Sequence, residues 1–157
     1  MEDLTFSQIY AKNFIKQPPT LTAWINGNRS TPMLSGIATF YPVTKGGVLV
    51  NVEVYGLPDM GSSNFFGMHI HEFGNCTPPF DKTGTHYNPT KTSHPDHAGD
   101  LPPLLSNNGY AWIAFYDDRF TISEIKGKSI VIHSMSDDFR SQPSGDSGEK
   151  IGCGVIQ

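Results

Sequence analysis

Six histidines stand in four short groups along the chain: His69 with His71, His86 alone, His94 with His97, and His133 near the end. Imidazole is the commonest protein ligand for zinc and copper, and Asp100, three residues after His97, adds a hard oxygen donor. On an extended strand His69 and His71 project from one face, with Cα atoms roughly 7 Å apart, close enough to meet on one ion. Taken alone, such a pair more often marks core histidines. His94, His97 and Asp100 form a three-residue rhythm that suits metal ligation as well as it suits a polar surface loop. Adding His86 gives three nitrogens and one carboxylate, a four-coordinate zinc site with no free position and therefore a structural one. His69, His71 and His133 are then left for a second ion with a vacancy toward solvent.

Such ligands need a scaffold, and 157 residues suffice for one domain with its own core. The 16 glycines and 12 prolines point to short strands joined by many turns. A net charge of −4, without a run of lysine or arginine, excludes the phosphate contacts that nucleic-acid binding requires. No stretch reaches 18 apolar residues, so no membrane span is expected. Met1–Gln17 lacks the basic start and apolar run of a secretory signal. Phe6, Ile9, Tyr10, Phe14 and Ile15 instead predict a short amphipathic helix ended by Pro18 and Pro19, which makes residues 1–19 an extension.

Residues 20–157 read as the domain proper. Strands are expected at Thr20–Asn26, Ser35–Tyr41, Gly47–Tyr55, Phe65–Glu72, Gly109–Tyr116, Phe120–Ile122, Ile130–His133 and Ile151–Ile156. In the third, Val48, Val50, Val52 and Val54 alternate strictly and must share a buried face. Between Gly74 and Asn108 periodicity fails over a proline-rich span. A loop of that length in a compact domain is usually functional. It carries His86, His94, His97, Asp100 and Cys76, so metal is expected to order it.

Five segments in order carry a family resemblance: Gly67-Met68-His69-Ile70-His71-Glu72-Phe73-Gly74, His86-Tyr87-Asn88-Pro89, His97-Ala98-Gly99-Asp100-Leu101, Val131-Ile132-His133, and Gly152-Cys153-Gly154-Val155-Ile156. Together they make the chain resemble the copper/zinc superoxide dismutases from about Thr20 to Ile156. The resemblance implies an all-β fold, an eight-stranded Greek-key barrel or sandwich with long metal-binding loops. It implies one copper and one zinc per chain: copper on His69, His71, His86 and His133, zinc on His86, His94, His97 and Asp100. His86 would bridge them and act in catalysis, with superoxide as the substrate. Asp137 matches an aspartate that links a copper histidine to a zinc histidine and fixes their rings. Cys76 and Cys153 match an intrasubunit disulfide, for which chain-entropy arithmetic gives an upper figure of about 4.5 kcal/mol.

Three departures from the family pattern stand out. Lys150 occupies the place of an arginine near copper; it keeps the charge but lacks the planar donor fork, so activity is expected to be retained and reduced. The segment from His133 to Cys153 is short and lacks the family's charged steering cluster, which leaves Arg140 as the nearest candidate for long-range attraction. His94 and His97 stand closer together than is usual, as in shortened bacterial members. A metal-binding protein without efficient turnover would use the same ligands, and an adhesion module would need none of them. A homodimer is one candidate assembly. Absence of a signal places the chain in the cytoplasm, or in an exported compartment if a leader has been removed.

Overall fold

The computed structural model describes residues 16–157 and, ahead of them, only Thr5, Gln8, Ala11 and Lys12. The apolar residues on which the expected N-terminal helix rests lie outside that set. The domain begins with three antiparallel strands, β1 (Leu21–Gly27), β2 (Ser35–Pro42) and β3 (Val48–Tyr55). Between β1 and β2 the Asn28 side chain accepts from the backbone N–H of Ser30 and Thr31 at 2.8 and 3.1 Å, a local turn that reverses the chain. Val48, Val50, Val52 and Val54 are fully buried, as their alternation predicts.

Four further strands join the sheet: β5 (Met68–His71), β7 (Ala111–Asp117), β8 (Ser129–His133) and β9 (Lys150–Val155). Its order, β5-β8-β9-β1-β2-β3-β7, places strands distant in sequence side by side. The two edges are closed by a second pairing. β4 (Phe65–Phe66) continues through Gly67 into β5 and pairs with β6 (Leu104–Leu105), which packs beside β7. With β4 and β5 taken as one strand bent at Gly67, eight strands form the curled, barrel-like sheet. Its interior is one apolar cluster that includes Ile25, Phe40, Met68, Ile70, Ile130 and Ile132.

Two local expectations are corrected. Phe120–Ile122 is not a strand: Thr121 starts a short helix, α1 (Ile122–Ile125), and its backbone N–H donates to Glu124 Oε2 at 2.7 Å. That reciprocal capping satisfies donors a strand would have left to a neighbour. The eighth strand is β6, two residues long and preceded by Pro102 and Pro103. Cys76 and Cys153 form the expected disulfide across a separation of 77 residues, packed with Phe80 and Val131. It ties the long loop after β5 to β9. No helix among the described residues is long and apolar enough to cross a membrane.

Candidate metal centre

β5 lies at the edge of the seven-stranded sheet, and an edge strand offers unpaired backbone groups. Here the long loop takes them. Ile70 N–H donates to Gly99 O and Tyr87 N–H to Ile70 O, both at 2.8 Å, while Glu72 N–H donates to Thr85 O at 3.0 Å. The loop therefore returns twice along β5, bringing His86 opposite His71 and Asp100 opposite His69. Gly99 is required at that crossing, because a Cβ there would stand 2.3 Å from Ile70 O. Met68 and Ile70 point into the core, so His69 and His71 face outward under the loop. β8 delivers His133, whose N–H donates to Gly67 O at 2.8 Å.

Hydrogen bonding fixes which ring nitrogens are free. His69 Nε2–H donates to Asp137 Oδ2 at 2.7 Å and His94 Nε2–H to Asp137 Oδ1 at 2.8 Å, leaving Nδ1 of each ring as a lone pair. His71 Nδ1–H donates to Gly84 O at 2.9 Å and His133 Nδ1–H to Gly148 O at 3.4 Å, so each Nε2 is an acceptor. Those two Nε2 atoms nonetheless face one another at 3.3 Å. Two acceptors at that distance call for a cation between them. Among the described residues, the buried side-chain nitrogens with no hydrogen-bond partner are His69 Nδ1, His86 Nε2 and His94 Nδ1. His94 Nδ1 lies 3.1 Å from Asp100 Oδ2 without hydrogen-bond geometry, as two donors to one ion would.

Two donor sets emerge, His69, His71, His86 and His133, and His86, His94, His97 and Asp100, each with ligand atoms within 4.8 Å of one another. In the second, His86 Nδ1 is 2.7 Å from Asp100 Oδ1 and 3.4 Å from His97 Nδ1, and His97 Nδ1 is 3.1 Å from Asp100 Oδ2. Tetrahedral ligands at zinc distances stand roughly 3.3 Å apart, so the cluster has nearly the size the ion demands. His86 belongs to both sets, and its ring centroid lies within 6.0 Å of all five other histidines.

The charge balance also favours cations. Burial pushes His69 down to about 4, against the opposing bond to Asp137, and pushes His133 down to about 3; His71 lies well below its ordinary value for the same reason. Burial raises the Asp137 and Asp100 carboxyls, but bonds from their histidine partners outweigh it and hold both below the usual range. Near neutral pH these groups are three neutral imidazoles and two carboxylates under cover.

A cleft of about 470 Å³ opens onto His71, His86, His97 and His133, whereas His69, Asp100 and Asp137 lie behind it. Of the charged side chains considered from sequence, Lys150 lines this cleft and Arg140 does not. Lys150 sits opposite His133 across the β8–β9 pairing. Arg140 is exposed on the loop after β8.

Two residues that hold the loop carry no sequence signal. Arg119 donates through Nη1 to His97 O at 3.1 Å and through Nη2 to Asp100 O, while Asp117 accepts from its Nε and Nη2 at 3.0 and 2.6 Å. Gln142 accepts from His94 N–H at 3.0 Å and donates to His94 O at 2.7 Å. In sequence each reads as an ordinary turn residue. Gly145, with φ +68°, covers the His94–Asp137 contact, and a Cβ there would stand 2.1 Å from Asp137 Oδ1.

Comparison with known proteins agrees with this geometry. The family profile described as copper/zinc superoxide dismutase matches residues 34–156. The chain is 35% identical over 130 residues to Superoxide dismutase [Cu-Zn] 1 of Aquifex aeolicus, covering 73% of this chain and 75% of that one. It is 34% identical over 149 residues to Superoxide dismutase [Cu-Zn] of Deinococcus radiodurans, covering 81% and 79%. The crystal structure of the clock protein EA4 superposes with a TM-score of 0.75 at 29% identity, covering 89% of this chain and 95% of that one.

Proposed function

The chain belongs to the copper/zinc superoxide dismutase family, and on that premise we propose how its residues divide the work of converting superoxide to dioxygen and hydrogen peroxide. Residues 20–157 form the catalytic domain and residues 1–19 an extension. His69 Nδ1 and the Nε2 atoms of His71, His86 and His133 would hold copper; the Nδ1 atoms of His86, His94 and His97, with Asp100, would hold zinc. Bound there, copper supplies one-electron chemistry in both directions, and zinc, which is d¹⁰, supplies charge and order without redox.

The chain's own groups do the rest. Asp137 fixes the tautomers of His69 and His94 together, so the two ligand sets are oriented by one carboxylate. His86 Nε2 would hold a proton in one half of the cycle and give it up in the other, while Nδ1 would remain on the zinc side, beside Asp100. Lys150 places a positive charge on the cleft wall, where the substrate anion enters. Its ammonium attracts the anion without the planar fork an arginine would offer, so turnover is lower than with arginine.

The observation that carries this reading is the position of His86, buried, shared by both donor sets, with one nitrogen against Asp100 and the other unpartnered. Superoxide consumption by the copper- and zinc-loaded protein, compared with His133→Ala, tests it. Turnover far above free copper, abolished in the variant, supports the enzyme. Tight binding of both metals with no turnover above free copper would instead make the chain a metal-binding protein.

A further inference from the structure

Lys150 stands between two clefts. One opens onto His71, His86 and His133; the other, smaller, is lined by Asp81 and Glu149 together with Lys150 itself. A lysine stem is flexible and its ammonium is a point charge, so nothing in the side chain alone selects the first cleft over the second. The two carboxylates would draw it away from the histidines.

Thr83 opposes that pull. It closes a 3₁₀ turn, Asp81–Thr83, and is fully buried. Its hydroxyl donates its one proton to Phe80 O at 2.8 Å, which leaves the oxygen as an acceptor, and Lys150 Nζ donates to it at 2.8 Å. The ammonium also donates to Gly84 O at 3.1 Å, the carbonyl that accepts from His71 Nδ1–H. Two of its three hydrogens are thereby committed beside a copper-set histidine, and one is left for the cleft.

We propose that Thr83 is the positioning residue that holds the Lys150 ammonium at the metal cleft and away from Asp81 and Glu149. The inference rests on the reading of Lys150 as the charge that meets the substrate anion. It names a residue that acts through Lys150 rather than on the substrate. A valine in its place has the same shape, and the backbone bonds Thr83 N–H to Phe80 O and Phe73 N–H to Thr83 O need no hydroxyl. The substitution therefore isolates the hydroxyl's effect on Lys150.

The test is titration of the copper- and zinc-loaded protein with azide, a small anion whose binding to copper is read by absorbance, with metal content checked in each variant. Thr83→Val is expected to raise the azide Kd about 3- to 10-fold, the scale of losing one ordinary hydrogen bond, because Gly84 O still holds the ammonium. Thr83→Ser, which restores the hydroxyl, is expected to stay within about twofold of the parent. Lys150→Met is expected to weaken azide further, and Thr83→Val is expected to add nothing in that background. If Thr83→Val does not fold, Thr83→Ala carries the same comparison.

An unchanged azide Kd in Thr83→Val, with Lys150→Met weakened, would overturn the role of Thr83 alone. Equal weakening by Thr83→Val with and without Lys150 would also overturn it, because the effect would then run through the fold. An unchanged Kd in Lys150→Met would overturn the reading of Lys150 and this inference with it.

Discussion

His86 Nδ1 lies 2.7 Å from Asp100 Oδ1, while Nε2 of the same ring is buried without a hydrogen-bond partner. One side chain thus belongs to two donor sets, and on the proposed metal assignment its loss is expected to reach further than that of any other candidate ligand. In His86→Ala, copper and zinc retained after dialysis against a chelator are both expected to fall at least about tenfold, the scale of losing an orienting or ligating partner. His133→Ala is expected to lose copper and keep zinc, and His97→Ala to lose zinc first. Elemental analysis per chain checks this, and loss of one metal alone from His86→Ala would contradict a shared ligand.

Asp137→Asn replaces an oxygen that accepts from His69 or His94 with an amide that must donate. One of the two rings is then released to rotate. Affinity for the metal on that ring is expected to drop about 10- to 100-fold, with little change in the apolar core. Chelator competition for copper and zinc measures it. Unchanged affinities would mean that the rings are held by packing alone.

Arg119→Met removes the guanidinium from the carbonyls of His97 and Asp100, and Asp117, which is 6% exposed, loses its ion pair while keeping the bond from the residue 119 backbone N–H. Arg119 is itself partly solvated, so the cost is smaller than for a fully buried pair, about 1.5–3 kcal/mol on charged hydrogen bonds. Zinc dissociation is expected to quicken alongside. Denaturant melts of metal-free protein and zinc release kinetics separate the two effects.

The histidines and Asp100 were legible from sequence because ligand chemistry restricts residue type, and the alternating valines of β3 because the strand face that lines the main core restricts polarity at every second position. Two failures have physical causes. β6 is two residues beside a proline pair, too short for any period to show, and Thr121 with Glu124 forms a cap whose spacing was present but outweighed by Phe120 and Ile122. Arg119 and Gln142 escaped for a different reason. They grip backbone carbonyls and amides, which every residue has, so their partners leave no mark in the sequence. Asp137 was identifiable through the family resemblance and not from its neighbours.

Acid should destabilise the metal-free protein. Burial holds His69 down to about 4 and His133 down to about 3, against an ordinary value of 6.5, and His71 shifts the same way. Between pH 6.5 and about 3 the unfolded chain binds protons that the folded chain refuses, so stability is complete above 6.5 and is lost as pH falls through that window. The slope approaches roughly 1.4 kcal/mol per pH unit for each such histidine. Denaturant midpoints of metal-free protein at pH 7.5 and 5 are expected to differ clearly. Equal midpoints would show that these rings are solvated.

The most direct test of the dinuclear centre is anomalous diffraction at the copper and zinc edges from crystals of the loaded protein. The expected result is a copper peak among His69 Nδ1 and the Nε2 atoms of His71, His86 and His133. A zinc peak is expected among the Nδ1 atoms of His86, His94 and His97 and the Asp100 carboxylate, with His86 touching both. A single peak, or two peaks of which only one contacts His86, would contradict it.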